Sequence, residues 1–231
     1  MERQRILSVV FSIVIAGCLV FVALTLAAML LYPGGTLTDK TTPGYSFFQN
    51  FFSDLGRTES YAGRPSPIPA VMFFIALTMA GNSLVFFFAA FPWFFTRTLP
   101  GRMFSLAGSI LGILSGLCFI GIAFAPANLA LTVHKQLVLW AFRLFPAAVF
   151  LYAVAILREP DYPKRFALVF IAFGVLLVLY ILLLEFGPDA RTPDGMVIQA
   201  TGQKIIVYAS ILSILIQAFG ARQAHRIRSQ A

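Results

Sequence analysis

The chain has 231 residues, 59% of them hydrophobic and 11% charged, with a formal net charge of +8 and a mean hydropathy of +0.87. A soluble domain carries about a quarter charged residues. No water-soluble fold of this length has interior enough to hide so much apolar surface, so the surrounding solvent must be lipid, and the composition excludes a soluble enzyme or a nucleic-acid-binding domain.

The first apolar segment, 6–32, follows the charged start MERQR. It is too long for the apolar core of a secretory signal, about 7–15 residues, and reads as a spanning helix. The polar stretch that follows contains SFFQNFFSDLG, residues 46–56. On a helical wheel Phe47, Phe48, Phe51, Phe52 and Leu55 share one side. Ser46 and Gln49 have the spacing of a capping box, and Gly56 is a stop signal. The expectation is a short interfacial helix over 46–55, lying apolar face down on the bundle. Asp54 then falls in its last turn, where the helix dipole disfavours a negative charge, so a cationic partner is expected among Arg57, Arg143 and Lys204.

The second span, 68–95, carries Asn82 near mid-membrane. An unsatisfied amide in hydrocarbon is costly, so Asn82 is expected to bond to another helix. The third, 103–125, has Gly108, Gly112 and Gly116 four residues apart. Such a small-residue ridge lets a neighbouring helix approach closely, which places this span centrally; a groove for a lipid tail is the alternative reading. The fourth, 137–157, is preceded by His134 and contains Arg143, and the fifth, 166–186, ends at Glu185. The sixth, 205–220, follows Gln203 and Lys204 and has a stripe of Gln203, Ser210, Ser213 and Gln217 that should turn inward, toward Asn82. The expected fold is therefore all-α, a six-transmembrane-helix bundle forming a single membrane domain over 1–231.

Ten Lys and Arg residues fall on one side of these spans, namely Arg3, Arg5, Arg97, Arg102, Arg158, Lys164, Arg165, Arg222, Arg226 and Arg228, against six on the other. An excess of cations in short loops marks the cytoplasmic face, so both termini are expected in the cytoplasm. Most non-helical residues then face outward. Cys18 and Cys118 both lie inside apolar runs, which excludes a disulfide framework in the loops and a cysteine zinc site. With His134 and His225 the only histidines, a three-histidine zinc site within the chain is also excluded. No nucleotide loop or dinucleotide fingerprint occurs, and no metal or cofactor is expected.

Ionisable groups at membrane depth are expensive and by default functional. Asp54, Arg57, His134, Arg143, Glu185, Gln203 and Lys204 all fall near the outer ends of the spans, as an expected ligand- or partner-binding cluster. His134 and Arg143 are nine residues apart, on opposite sides of a continuous helix, so they do not face one site if the helix begins before His134.

FSDLG (52–56), APANLALTVHK (125–135) and the pair Glu185 and Gln203 together resemble the pattern of a family of six-helix prokaryotic membrane proteins, the "domain of unknown function 998" family. The likeness spans most of the chain and implies a bacterial or archaeal cytoplasmic membrane, but no reaction. Where it implies an acidic residue after Pro126, this chain has Ala127 and Asn128, which weakens a metal or proton role there. A looser likeness, in topology alone, is to eukaryotic Frag1/DRAM-type proteins linked to lipid remodelling and membrane trafficking.

The favoured expectation is a non-enzymatic binding or accessory protein whose outer polar cluster holds a lipid headgroup, a small amphipathic ligand or a partner protein. Membrane lipids are the expected partners, with a partner membrane protein or a second copy of the chain as further options, and no nucleic acid. One alternative is an outer-leaflet lipid hydrolase or transferase using Ser53, Asp54 and His134. The other is a small-solute transporter, although neither an internal repeat nor mid-membrane charge supports it.

Overall fold

The computed structural model describes residues 2–230, with side chains for 2 and 5–223. The side chains of Arg3, His225, Arg226 and Arg228 lie outside the described residues. Six α-helices follow in chain order: α1 (Glu2–Leu30), α2 (Pro67–Ala90), α3 (Leu99–Ala123), α4 (Leu131–Arg158), α5 (Arg165–Phe186) and α6 (Pro193–Gln230). Each is long and apolar enough to cross a membrane. Among the described residues β-pairing is confined to two isolated bridges, Gly34 with Pro43 and Glu59 with Pro65.

The helices begin where local chemistry permits. Pro67 and Pro69 occupy the first turn of α2, where a missing N–H costs nothing. Thr98 caps α3, its hydroxyl accepting from the Gly101 N–H at 3.1 Å. Thr192 does the same for α6, accepting from Gly195 N–H at 3.2 Å.

Two helices are longer than hydropathy predicts. α4 begins at Leu131 rather than 137, and α6 at Pro193 rather than 205. In α6 the added turns bury Met196 and Ala200, while the side-chain amide of Gln199 bonds back to the bundle. Gln199 donates to the carbonyls of Leu183 at 2.9 Å and Pro188 at 3.2 Å. Polar side chains satisfied in this way do not end a helix, but they lower its hydropathy.

The helices form a closed ring. Each packs against its chain neighbours, and α6 returns against α1. The glycines of α3 set the spacing on two sides. A Cβ on Gly108 would lie 2.8 Å from the Tyr152 ring of α4, and one on Gly112 would lie 2.3 Å from the Phe88 ring of α2. Gly116 and Gly81 meet almost backbone to backbone, a Cβ on Gly81 falling 2.8 Å from the Gly116 carbonyl oxygen. The intervening serines bond across the same seams. Ser109 donates to the Phe88 carbonyl and shares a 2.6 Å hydrogen bond with the Tyr152 hydroxyl, and Ser115 donates to the Ala141 carbonyl at 2.9 Å.

Asn82 departs from expectation: its amide donates to the Thr78 carbonyl, one turn back on its own helix, at 2.9 Å. The stripe on α6 does not reach it. Ser210 bonds to Ile206 within α6, and Gln217 donates to the Phe166 carbonyl of α5 at 2.7 Å. A backbone carbonyl one turn away satisfies an amide without needing a second helix.

Inside the ring, the half nearer the short 94–99 and 158–165 connections is filled by aromatics. Phe91 sits 4.9 Å from Tyr152 and 4.6 Å from Phe87 between ring centroids, with Phe11, Phe94, Phe95, Tyr162 and Phe170 packed around them. The other half, under the 31–66 loop, holds a cavity.

Gly112→Val is expected to drive a side chain into the Phe88 ring and lower stability by about 1–3 kcal/mol. Ala107→Val, on the exposed side of α3, should be near neutral. Thermal unfolding in detergent compares the two, and equal effects would refute the seam.

Candidate functional site

The chain leaves α1 through Pro33, Gly34 and Gly35, and the two glycines adopt φ of 117° and 83°. A Cβ on Gly35 would lie 2.3 Å from the Ala62 nitrogen, so this close crossing of the loop requires glycine. The loop then folds back over the end of the ring.

The expected helix over 46–55 does not form. Residues 46–50 make a turn, with the Asn50 N–H bonding to the Ser46 carbonyl at 2.8 Å, Phe51 is extended, and a five-residue 3-10 helix follows at Phe52–Gly56. Asn50 causes the break. Its side-chain oxygen accepts from the Ser46 N–H at 2.9 Å, and its amide donates to the Gly35 carbonyl at 2.9 Å and to Asp54 Oδ2 at 3.1 Å. These three bonds fix a turn that a continuous helix would not allow. The phenylalanines divide accordingly: Phe52 and Leu55 are buried, whereas Phe47 and Phe48 are exposed.

Asp54, 2% exposed, accepts from Asn50 and, at 2.8 Å, from the Phe51 N–H. Among the described residues no direct salt bridge holds it, which corrects the expectation of a cationic partner. Two neutral N–H donors satisfy the carboxylate, with the charges of Arg57 and Lys204 acting from further away. Burial is the largest influence on this group and raises its pKa to about 6, against the pull of Asn50, Phe51, Arg57 and Lys204.

From α6, consecutive side chains clasp the same segment. The Gln203 oxygen accepts from the Phe52 N–H at 2.6 Å. Lys204, 1% exposed, donates to the Asn50 carbonyl, and to the Ala200 carbonyl at 3.1 Å. Its ammonium lies 5.4 Å from the Tyr45 ring centre and 5.2 Å from that of Phe47. Tyr45 adds a bond to the Phe51 carbonyl at 3.1 Å. The result is a roof whose backbone groups are matched by buried side chains.

Beneath this roof lies a cavity of about 80 Å³. Phe52, Ser53 and Gln203 line its roof side, and Cys18, Phe73, Phe119, Phe142 and Val207 are among its walls. A second cavity of about 170 Å³ lies beside it, lined by Ser53, Gly56, Phe74, Pro126 and His134 among others. Ser53 borders both.

The expected seven-residue cluster is thus four separate arrangements. Asp54, Gln203 and Lys204 form the roof clasp. His134 lines the second cavity and shares a 2.7 Å hydrogen bond through Nδ1 with the Ala125 carbonyl, which puts the proton on Nδ1. Arg143 and Glu185 pair with each other, 44% and 40% exposed. Arg57 packs its guanidinium 4.0 Å over the Tyr61 ring and donates to the Glu59 carbonyl at 3.1 Å. The Ser53, Asp54 and His134 triad is not assembled: His134 Nδ1 is held by Ala125, and the carboxylate is turned to Asn50 and Phe51. Because α4 begins before His134, Arg143 is also carried to another face. Among the described residues no group of three or more His, Cys, Asp or Glu is placed to hold a metal.

The family model described as "Protein of unknown function (DUF998)" matches residues 25–219, which include the end of α1, the whole roof, α2 to α5 and most of α6. The chain belongs to the DUF998 family. No curated protein and no solved structure matches it. In this DUF998 member Asn128 sits where the resemblance implied an acid. It makes a neutral clip to the loop, accepting from the Thr58 N–H at 3.2 Å and donating to the Thr58 hydroxyl at 2.8 Å. Asn50 and Tyr45 went unread in the sequence, where both look like ordinary polar positions of an amphipathic segment. At the opposite end the fully buried Glu159, accepting from the Arg97 N–H at 3.3 Å, was also not singled out.

Asn50→Ala removes three hydrogen bonds and is expected to cost about 3 kcal/mol, more than Gln203→Ala at about 1–2 kcal/mol. Thermal melts in detergent test the ranking, and an Asn50 variant as stable as the parent would overturn the assigned hub.

The raised pKa of Asp54 also has a defined pH signature. Its ordinary value is 3.8, so the stability it contributes is fully present below about 4 and lost as pH rises through about 6. The melting temperature of the parent, measured relative to Asp54→Asn, should therefore rise as pH falls through that window. A difference that stays flat or falls would contradict the buried carboxyl. Lys204, Arg57, Tyr45, Tyr32 and Tyr61 are the titratable groups coupled to it.

Proposed function

We propose that this protein is a non-enzymatic lipid-binding or accessory protein of the cytoplasmic membrane, which holds a lipid or small amphipathic molecule with its apolar end in the roofed cavity. The observation that carries this reading is the cavity itself. Its walls are drawn from five helices and are mostly apolar, with Ser53 and Gln203 toward the roof and Ser83 and Ser210 the other polar residues of the lining. Binding sites of this kind are apolar concavities with a few placed polar groups that orient the ligand. Asp54, within the 3-10 helix, and Lys204, bonded to the Asn50 carbonyl just before it, are the buried ionisable groups of this roof, and displacing the 3-10 helix would bring them to a headgroup.

The basic residues of the short connections support an orientation with the roof outward and both termini in the cytoplasm. Exposed Phe47 and Phe48 then sit at the outer interface, where aromatic rings favour the headgroup level.

Native mass spectrometry of protein extracted in mild detergent is expected to show a retained lipid. Ala80→Trp adds an indole to the cavity wall and should lower its occupancy roughly tenfold. A parent protein that carries no lipid, or an Ala80→Trp variant that carries as much, would remove the proposal.

A further inference from the structure

At the opposite end of the bundle, the start of α5 and the end of α6 enclose a groove of about 360 Å³. Phe166, Val169, Ile216 and Phe219 make it apolar, and Arg165 and Gln223 stand at its mouth. The helices are pinned side by side here, because Gln217 donates to the Phe166 carbonyl at 2.7 Å and Gly220 admits the Phe166 ring, 2.4 Å from where a Cβ would lie.

Arg165 donates to Gln223 Oε1 at 2.6 Å and lies 5.1 Å over the Phe166 ring. Neither contact neutralises it, and no carboxylate among the described residues pairs with it. The nearby acids are engaged elsewhere. Asp161 bonds Arg97 at 2.8 Å, and Glu159 is buried beside the Arg97 N–H. Lys164 spends its ammonium on the carbonyls of Ile156 and Glu159. Arg165 therefore keeps a positive charge and unused donors at the mouth of an apolar slot between two helices that are long and apolar enough to cross a membrane.

We propose that this groove binds an anionic phospholipid, one acyl chain lying along Phe166, Val169, Ile216 and Phe219 and the headgroup phosphate on Arg165. A guanidinium presents a planar fork that matches two phosphate oxygens, and basic pockets between spanning helices hold anionic headgroups. Arg222, three residues beyond Phe219 on α6, adds positive charge to this end of the molecule. This site is separate from the roofed cavity, at the other end of the molecule and on its lipid-facing side.

The test is native mass spectrometry of the full chain exchanged with equal phosphatidylglycerol and phosphatidylcholine. The parent should prefer phosphatidylglycerol adducts about tenfold, the range of one charge-assisted contact. Arg165→Gln should lose that preference. Phe219→Trp, which keeps the charge and plugs the slot, should lose it too, and Arg102→Gln, an exposed arginine at the same end, should retain it. Equal adducts in the parent would overturn the proposal. So would a preference that survives Arg165→Gln, or one that falls equally in Arg102→Gln, which marks diffuse charge attraction rather than a site. Ala80→Trp should leave the phosphatidylglycerol preference intact, which separates this groove from the roofed cavity.

Discussion

Hydrocarbon offers apolar helices no solvent-driven reason to meet, so close backbone approach must supply the attraction, and in this protein α3 provides it. Its glycines accept the Phe88 ring and the Gly81 backbone on one side and the Tyr152 ring on the other. With α2 and α4 held at that spacing, the remaining helices close the ring through chain neighbours. The aromatic filling depends on it as well. Tyr152 reaches both Ser109 and the Phe91 ring only because Gly108 has no side chain between them.

A ring of helices leaves an end to be closed, and the closing segment brings backbone groups out of water. The roof answers this with Asn50, Tyr45, Gln203 and Lys204, each matched to a main-chain N–H or carbonyl. A buried ammonium is tolerable where its donors are bonded and a carboxylate lies within electrostatic reach. The same clasp explains why α6 extends so far beyond its apolar stretch, since its first turns serve the roof rather than the lipid. Cavity and roof are consequences of one another: the 3-10 helix stops above the cavity because Asn50 and Gln203 hold it there.

Much of this was legible in the chain. The apolar runs announced six helices, and the spacing of Gly108, Gly112 and Gly116 announced the packing ridge. Asp54, Gln203 and Lys204 were recognisable as costly groups that needed partners. The direct partner of Asp54 is an amide rather than the cation that a helix dipole at residue 54 would call for, with Arg57 and Lys204 acting only from further away. Asn50 had broken that helix, and its own amide filled the role. Nor does residue type distinguish Arg143 with Glu185, a half-exposed pair, from Lys204, a buried one.

Transfer free energy and periodicity are local properties, readable over a turn or two of helix, and they sufficed for the membrane environment, the helix count and the small-residue seam. Hydrogen-bond pairing is not local. Lys204 and Asn50 are 154 positions apart, and nothing in either neighbourhood names the other. The clasp, the division of the polar residues into four arrangements and the cavity beneath the roof arise only when the ring closes and brings α6 over the first loop. There, each buried donor takes whichever acceptor the fold has placed within reach.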